Sequence, residues 1–131
     1  MRLLLDTHVL VWAVGSTRHL DAETLNTLGD PANVILFSAA SIWEIAIKRA
    51  LRRPDFPIQP QDILRAAIEI GFIEIPVISA TAAQVTDLPL LHRDPFDRIL
   101  IAQAMAEPAL FYTADTRLAA YSDLVRRVPA R

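Results

Sequence analysis

Short apolar runs alternate along the chain with longer stretches whose apolar residues recur at helical spacing. Leu3-Leu4-Leu5 is a continuous apolar run, the pattern of a strand buried on both faces. Residues 7–14 suit a first helix that stops near Gly15. Leu25 and Leu28, three apart and followed by Gly29-Asp30-Pro31, predict a second helix over 21–28. Val34-Ile35-Leu36-Phe37 marks a second strand over 33–37, and residues 38–51 read as a helix in a nearly apolar setting. Pro54, Pro57 and Pro60 make 52–60 a loop. A helix over 61–70 stops at Gly71, a third strand covers 72–75, and a short helix over 81–88 is closed by Pro89. Asp94 fits an N-cap and Pro95 the first position of a helix that runs to about 106. A fourth strand covers 110–113, Asp115 caps a short helix to 121, and 124–128 reads as a last edge strand. This alternation predicts an α/β fold with a mostly parallel central sheet and helices on both faces. No repeat, low-complexity tract or interdomain linker breaks it, so residues 1–131 are expected to form a single domain.

Composition narrows the class. AVILMFWYC residues make up 53% of the chain, which excludes intrinsic disorder. No apolar run approaches the ~18–20 residues of a membrane span. Asp6 interrupts the apolar start too early for a signal-peptide core. Absence of cysteine excludes a disulfide framework, a thiolate nucleophile and a zinc–thiolate site. A cytoplasmic location is the expectation. Thirteen basic residues stand against fifteen acidic ones, net −2, so any nucleic-acid contact must rest on a local patch. Lys48 is the sole lysine; the other twelve basic residues are arginine.

Four acidic residues fall near predicted strand ends or helix starts, where open α/β sheets place their chemistry. Asp6 follows the first strand, Glu44 sits inside the third helix, Asp97 is the third residue after the Asp94 cap, and Asp115 follows the fourth strand. Each has a structural role available as well. Asp6 and Asp115 can cap helices, Glu44 can pair with Lys48 at i,i+4, and Asp97 can favour a helix dipole. Together they carry more. Carboxylates ~5 Å apart repel by roughly 3 kcal/mol per pair at an effective dielectric of ~20. Such a cluster survives by protonating or by binding cations. All-oxygen ligands suit Mg²⁺ or Mn²⁺, whose chemistry is phosphodiester or phosphoryl hydrolysis by activated water. Receiver-like and aspartate-nucleophile phosphatase layouts fit less well. Both need a lysine near the late strands, and a phosphatase needs Asp-x-Asp where this chain has Asp6-Thr7-His8. No glycine lies near a Gly-Lys pair, which excludes a Walker A loop.

These residues resemble a known family. Asp6-Thr7 after an apolar strand is similar to the opening of PIN-domain nucleases, and Ser38-x-x-Ser41-x-Trp43-Glu44-Ile45 to their central segment. Asp94-Pro95-Phe96-Asp97-Arg98-x-Leu100-Ile101-Ala102-Gln103-Ala104 resembles the most specific block, and Thr113-Ala114-Asp115 the closing motif. Within the family the chain looks like a VapC-type ribonuclease toxin of a VapBC toxin–antitoxin pair. The resemblance implies a three-layer α/β/α PIN-like fold and a Mg²⁺- or Mn²⁺-dependent endoribonuclease. It carries the catalytic and metal-binding roles onto Asp6, Glu44, Asp97 and Asp115, with Asp6 and Asp97 as direct ligands. Thr7, Ser38 and Thr113 would support the carboxylates by hydrogen bonds, and Arg98 would orient one of them.

The resemblance also implies an RNA substrate, a homodimer, and a small VapB-like antitoxin whose tail covers the groove. Arg49, Arg52, Arg53, Arg93 and Arg117 are candidates to track phosphates, though for any single one a solvated surface or a local ion pair is the favoured reading. Trp12 and Trp43 read as core or interface aromatics. His8, His19 and His92 are scattered and receive no catalytic role. Two alternatives stand beside the toxin reading: a PIN nuclease that processes RNA without being a toxin, and a catalytically inactive PIN-like module that only binds a partner.

Overall fold

Side chains alternate in direction along the first strand, and that alternation sets the layers. In the computed structural model, which describes residues 1–129, Leu3, Leu4 and Leu5 are all fully buried. Leu3 and Leu5 point into one apolar cluster with Ile35, Phe37, Ile45 and Ile63, while Leu4 points into another with Leu36, Leu100, Ile101 and Phe111. A strand with side chains packed on both faces lies at the centre of a three-layer α/β/α arrangement.

The strands are β1 (Arg2–Leu5), β2 (Val34–Ser38), β3 (Ile73–Ile75), β4 (Leu110–Thr113) and β5 (Val125–Arg127). They form one parallel sheet in the order β3-β2-β1-β4-β5. Helices α1 (Thr7–Val14), α2 (Ala22–Gly29), α3 (Ala39–Ala50), α4 (Pro60–Ile70), α5 (Ser79–Gln84) and α6 (Pro95–Ala106) connect them. Three 3₁₀ turns, Thr17–His19, Val85–Asp87 and Thr116–Tyr121, complete the described elements. Helices α1, α3 and α4 supply the cluster around Leu3 and Leu5, and α6 packs on the Leu4 side. The expected α/β class and parallel sheet are therefore what the chain forms.

Boundaries move where a residue serves two elements. Ser38 ends β2 and also caps α3, its hydroxyl accepting from Ala40 N–H at 3.0 Å. Pro60, expected in the loop, is the first residue of α4, where its missing N–H costs nothing. The helix expected over 81–88 begins at Ser79 and tightens to 3₁₀ after Gln84. The segment after Asp115 is 3₁₀ rather than α-helical.

Strand order places the chemistry. From β1 the chain winds outward through β2 and β3, then returns to add β4 and β5 on the other side. The C-terminal ends of β1 and β4 therefore flank the switch point, where an open α/β sheet leaves a crevice. Asp6 follows β1, and Asp115 lies two residues past the end of β4.

Gly71 closes α4 in the left-handed region at φ 99°, and Phe72 N–H returns to Ala67 O at 2.9 Å. A Cβ there meets nothing within 4 Å, so Gly71→Ala tests backbone strain alone. It is expected to destabilise the fold by about 1 kcal/mol. Gly29→Ala, at the end of α2 and equally open, is expected to leave stability unchanged or raise it. Urea unfolding of the two variants checks the contrast.

Candidate metal centre

Asp6 emerges from β1 directly into the start of α1 and is 7% exposed. Its Oδ1 accepts from Thr7 N–H at 2.7 Å, the capping bond of α1. Its Oδ2 accepts from Thr113 Oγ1 at 2.5 Å. Leu5 is registered opposite Tyr112, so Asp6 continues opposite Thr113, and the sheet delivers the donor. The same Thr113 hydroxyl accepts from Asp115 N–H at 3.0 Å, which ties the turn after β4 to the end of β1.

Glu44 is 3% exposed on α3. Thr7 Oγ1 donates to its Oε1 at 2.6 Å, and Lys48 Nζ donates to its Oε2 at 2.5 Å. The i,i+4 pair with Lys48 is thus present but buried, and Lys48 is further held over the Phe56 ring at 4.9 Å. Ser41 Oγ lies 2.9 Å from Thr7 Oγ1. Ser38, expected to support a carboxylate, instead caps α3; Ser41, one helical turn on, is the serine beside the site.

Asp94 caps α6, accepting from Phe96 N–H at 2.8 Å and Asp97 N–H at 3.4 Å. Asp97 lies in the first turn of that helix, and its Oδ2 is 2.8 Å from His92 Nε2. Asp115 caps the following 3₁₀ turn and is gripped by Arg117 through Nε at 3.0 Å and Nη2 at 2.8 Å. Among the described residues Arg98 touches no carboxylate, contrary to expectation. Successive helical residues point about 100° apart, so Arg98 turns away from Asp97. It donates to the carbonyls of Val85, Leu88 and Pro89 and to Tyr121 OH.

One cavity of about 360 Å³ is lined by Asp6, Glu44, Asp94, Asp97 and Asp115, with His8, Trp12, Lys48, Ala114 and Arg117. Five carboxylates there face two permanent cations, Lys48 and Arg117. All four acidic residues singled out from the sequence share this space. Asp94 and Lys48 line it too, and His92 stands against it; a lone histidine and an apparent cap gave no signal of that. A roomier cavity of about 650 Å³ lies among α2 and the N-terminal ends of β2 and β3, where Asp30 is its one carboxylate.

The crowding shows in proton affinity. Burial raises the Asp97 carboxyl to about 8, and the charges of Asp6, Asp94, Glu44 and Asp115 push the same way. Burial also raises Asp6, opposed by its Thr113 and Thr7 bonds and assisted by Glu44. Hydrogen bonds from Arg117 hold Asp115 below the ordinary carboxylate value. Among the described residues, ligand atoms of His92, Asp94 and Asp97 lie within 4.8 Å of one another. No trio drawn from Asp6, Glu44, Asp97 and Asp115 closes to that spacing. A hydrated Mg²⁺ or Mn²⁺ tolerates wider spacing, because it keeps several waters and takes few carboxylates directly. The donor set, mostly carboxylate oxygen and short of positive charge, fits such an ion.

The family model described as PIN domain matches residues 3–124. The chain belongs to the PIN domain family. Its fold is shared with solved structures at low identity. A chain in the crystal structure of VapBC2 from Rickettsia felis, bound to a DNA fragment from its promoter, superposes at TM-score 0.71. Identity is 18%, with 98% of this chain and 99% of that one covered. The sarcin–ricin-loop-cleaving toxin VapC20 of Mycobacterium tuberculosis gives TM-score 0.57 at 15% identity, covering 90% and 94%. No curated protein matches by sequence. Matched positions of this PIN domain include every carboxylate of the cavity.

Asp97 holds its proton more tightly folded than unfolded. Its contribution to folding stability is full below the ordinary carboxylate value of 3.8 and is lost as pH rises through about 8. The metal-free protein is therefore expected to melt at a lower temperature at pH 8 than at pH 5.5. Millimolar Mn²⁺ should restore more stability at pH 8, where less proton is displaced than at pH 5.5. Melting curves at both pH values, with Asp97→Asn as the variant of reduced slope, check this.

Proposed function

We propose that this protein is a VapC-type endoribonuclease that hydrolyses RNA phosphodiester bonds and is held inactive by a VapB-like antitoxin. The observation that carries the reading is the carboxylate-lined cavity at the β1/β4 switch point of a PIN domain, with Asp97 raised to about 8. Asp6, Glu44, Asp97 and Asp115 are the residues that would hold Mg²⁺ or Mn²⁺, Asp6 and Asp97 directly. Bound there, the ion would supply an activated water and offset charge on a phosphodiester. The chain's own residues set the stage. Thr113 and Thr7 keep both Asp6 oxygens in place. The cavity lining contains no hydroxyl or thiol side chain among the described residues, which favours water over a covalent nucleophile.

Phosphate capture needs cations near this acidic site. Arg49, Arg52 and Arg53 line one recess just past α3, and Arg93 is exposed beside Asp94. Arg117 is exposed along its side chain while it grips Asp115. In this reading these arginines would track the phosphates of an RNA backbone. Both structural neighbours are VapC or VapBC proteins, and VapC20 is described as cleaving the sarcin–ricin loop, which supports RNA as the substrate class. The VapBC2 complex supports a VapB-like partner.

Homodimerisation belongs to the same reading. Trp43 is 64% exposed and meets Phe96 edge-on at 5.4 Å between ring centroids. With Ala39, Val77, Ala82 and Ile99 they line an apolar recess that holds no charged group. Such a surface can face its own copy across a two-fold axis without like-charge repulsion. Trp43→Glu is expected to convert a dimer into a folded monomer, read by light scattering after size exclusion. A wild-type chain that is monomeric at micromolar concentration overturns the dimer.

Cleavage is the decisive test. Purified antitoxin-free wild type and Asp97→Asn are incubated with total cellular RNA, with Mg²⁺ or EDTA. Discrete fragments from wild type alone, abolished by EDTA, are expected, and the variant should lose at least 100-fold in rate. Equal cleavage by both proteins overturns the site assignment. Cleavage by neither, with both folded, favours the binding-module alternative.

A further inference from the structure

His92 lies in the irregular stretch between the 3₁₀ turn Val85–Asp87 and α6, yet its side chain is only 14% exposed. Its main chain is held by a single hydroxyl. Tyr121 OH accepts from His92 N–H at 2.7 Å and donates to His92 O at 3.2 Å. The same oxygen accepts from Arg98 Nη1 at 3.2 Å. Arg98 meanwhile holds the carbonyls of Val85, Leu88 and Pro89 at 3.0–3.4 Å. The stretch leading to His92 is thus tied at several points to α6 and to the buried Tyr121.

We propose that His92 is the positioning residue of the metal centre, holding Oδ2 of Asp97 through Nε2 so that Oδ1 is presented to the cation. The inference rests on the metal-dependent reading of the cavity. Three observations carry it. His92 Nε2 lies 2.8 Å from Asp97 Oδ2. Oδ1 of Asp97 takes no hydrogen bond from any described residue, while Asp97 itself lines the cavity. The imidazole is not among the residues that line that cavity, although ligand atoms of His92, Asp94 and Asp97 lie within 4.8 Å of one another, so the ¹⁴N coupling of bound Mn²⁺ separates a positioning role from a ligand role. An ionised carboxylate can only accept, so Nε2 carries the proton when the cation is bound. A donor on the outer oxygen orients a ligating carboxylate, and loss of such a partner weakens metal binding 10–100-fold. Arg98 acts two bonds further out, through Tyr121. That is how an arginine of the most specific sequence block reaches the site without touching an acid.

The test uses the full chain, free of antitoxin, and Mn²⁺ alone as probe. Mn²⁺ binding is followed by the free-ion electron paramagnetic resonance signal for wild type, His92→Ala, His92→Gln and Tyr121→Phe. His92→Ala is expected to raise the apparent Mn²⁺ Kd by about 10–100-fold. His92→Gln keeps an N–H donor and should restore most of the affinity. Tyr121→Phe removes one hydroxyl and should weaken Mn²⁺ in the same direction. Bound Mn²⁺ in wild type should show no imidazole ¹⁴N coupling. A folded His92→Ala protein with wild-type Mn²⁺ affinity overturns the inference. So does a ¹⁴N coupling that vanishes in His92→Ala, since His92 would then be a ligand. If His92→Ala does not fold, Tyr121→Phe and His92→Gln decide on the same Kd. Wild type that binds no Mn²⁺ overturns the metal reading itself, a result distinct from unaltered binding in the variants.

Discussion

Burial of the Asp6 carboxylate is the constraint around which the rest of this end of the molecule is arranged. A carboxylate removed from water without partners is costly by several kcal/mol. Asp6 cannot move outward, because β1 is locked between β2 and β4 by register and by three leucines packed on both faces. Compensation must therefore come from the neighbours. Thr7 N–H takes one oxygen as a helix cap, and Thr113 takes the other from the adjacent strand. A one-residue slip of β4 would withdraw Thr113 and turn its buried side chains to the wrong face. Sheet register and the state of Asp6 are a single constraint.

The same logic extends outward from Asp6 through neutral donors. Thr7 uses its backbone for Asp6 and its hydroxyl for Glu44, so the start of α1 links β1 to α3. Thr113 serves Asp6 with its proton and Asp115 with its lone pair. Small hydroxyl side chains suit this role because they satisfy carboxylates without cancelling their charge. A permanent cation paired with Asp6 would instead cancel the field that draws a metal ion.

Much of this was legible in the sequence, for identifiable reasons. Leu3-Leu4-Leu5 has the pattern of a central strand, and Asp94-Pro95 fits the opening of a helix. With those anchors, Asp6, Glu44, Asp97 and Asp115 fall near one sheet edge, and the structure gathers them around one cavity. What escaped depends on contacts distant in the chain. His92 gains its place from Tyr121, 29 residues away, and no periodicity encodes that clamp. Arg98 read as a site residue because its neighbours are; a helical turn carries its guanidinium the other way. Ser38 and Ser41 are three apart at a strand–helix boundary. Which one faces Thr7 was decided by where α3 begins.

The five carboxylates of the cavity divide by how they are satisfied, and the division says where positive charge is wanting. Glu44 has Lys48 and Asp115 has Arg117, so each already faces a permanent cation. Asp6, Asp94 and Asp97 have hydroxyl, backbone and imidazole partners instead. Asp97 responds by keeping its proton to about pH 8, while Asp115, gripped by arginine, gives its proton up more readily than usual. Under the proposed function, the ion belongs nearest Asp6 and Asp97, and Glu44 and Asp115 bound the site at its flanks. Arg117 then has two competing demands, the carboxylate it grips and a phosphate arriving from outside. A bidentate pair exposed over more than half of the arginine side chain is weak enough to exchange. A basic side chain from an antitoxin, entering the same cavity, would satisfy Asp6 and Asp97 directly and leave Arg117 where it is.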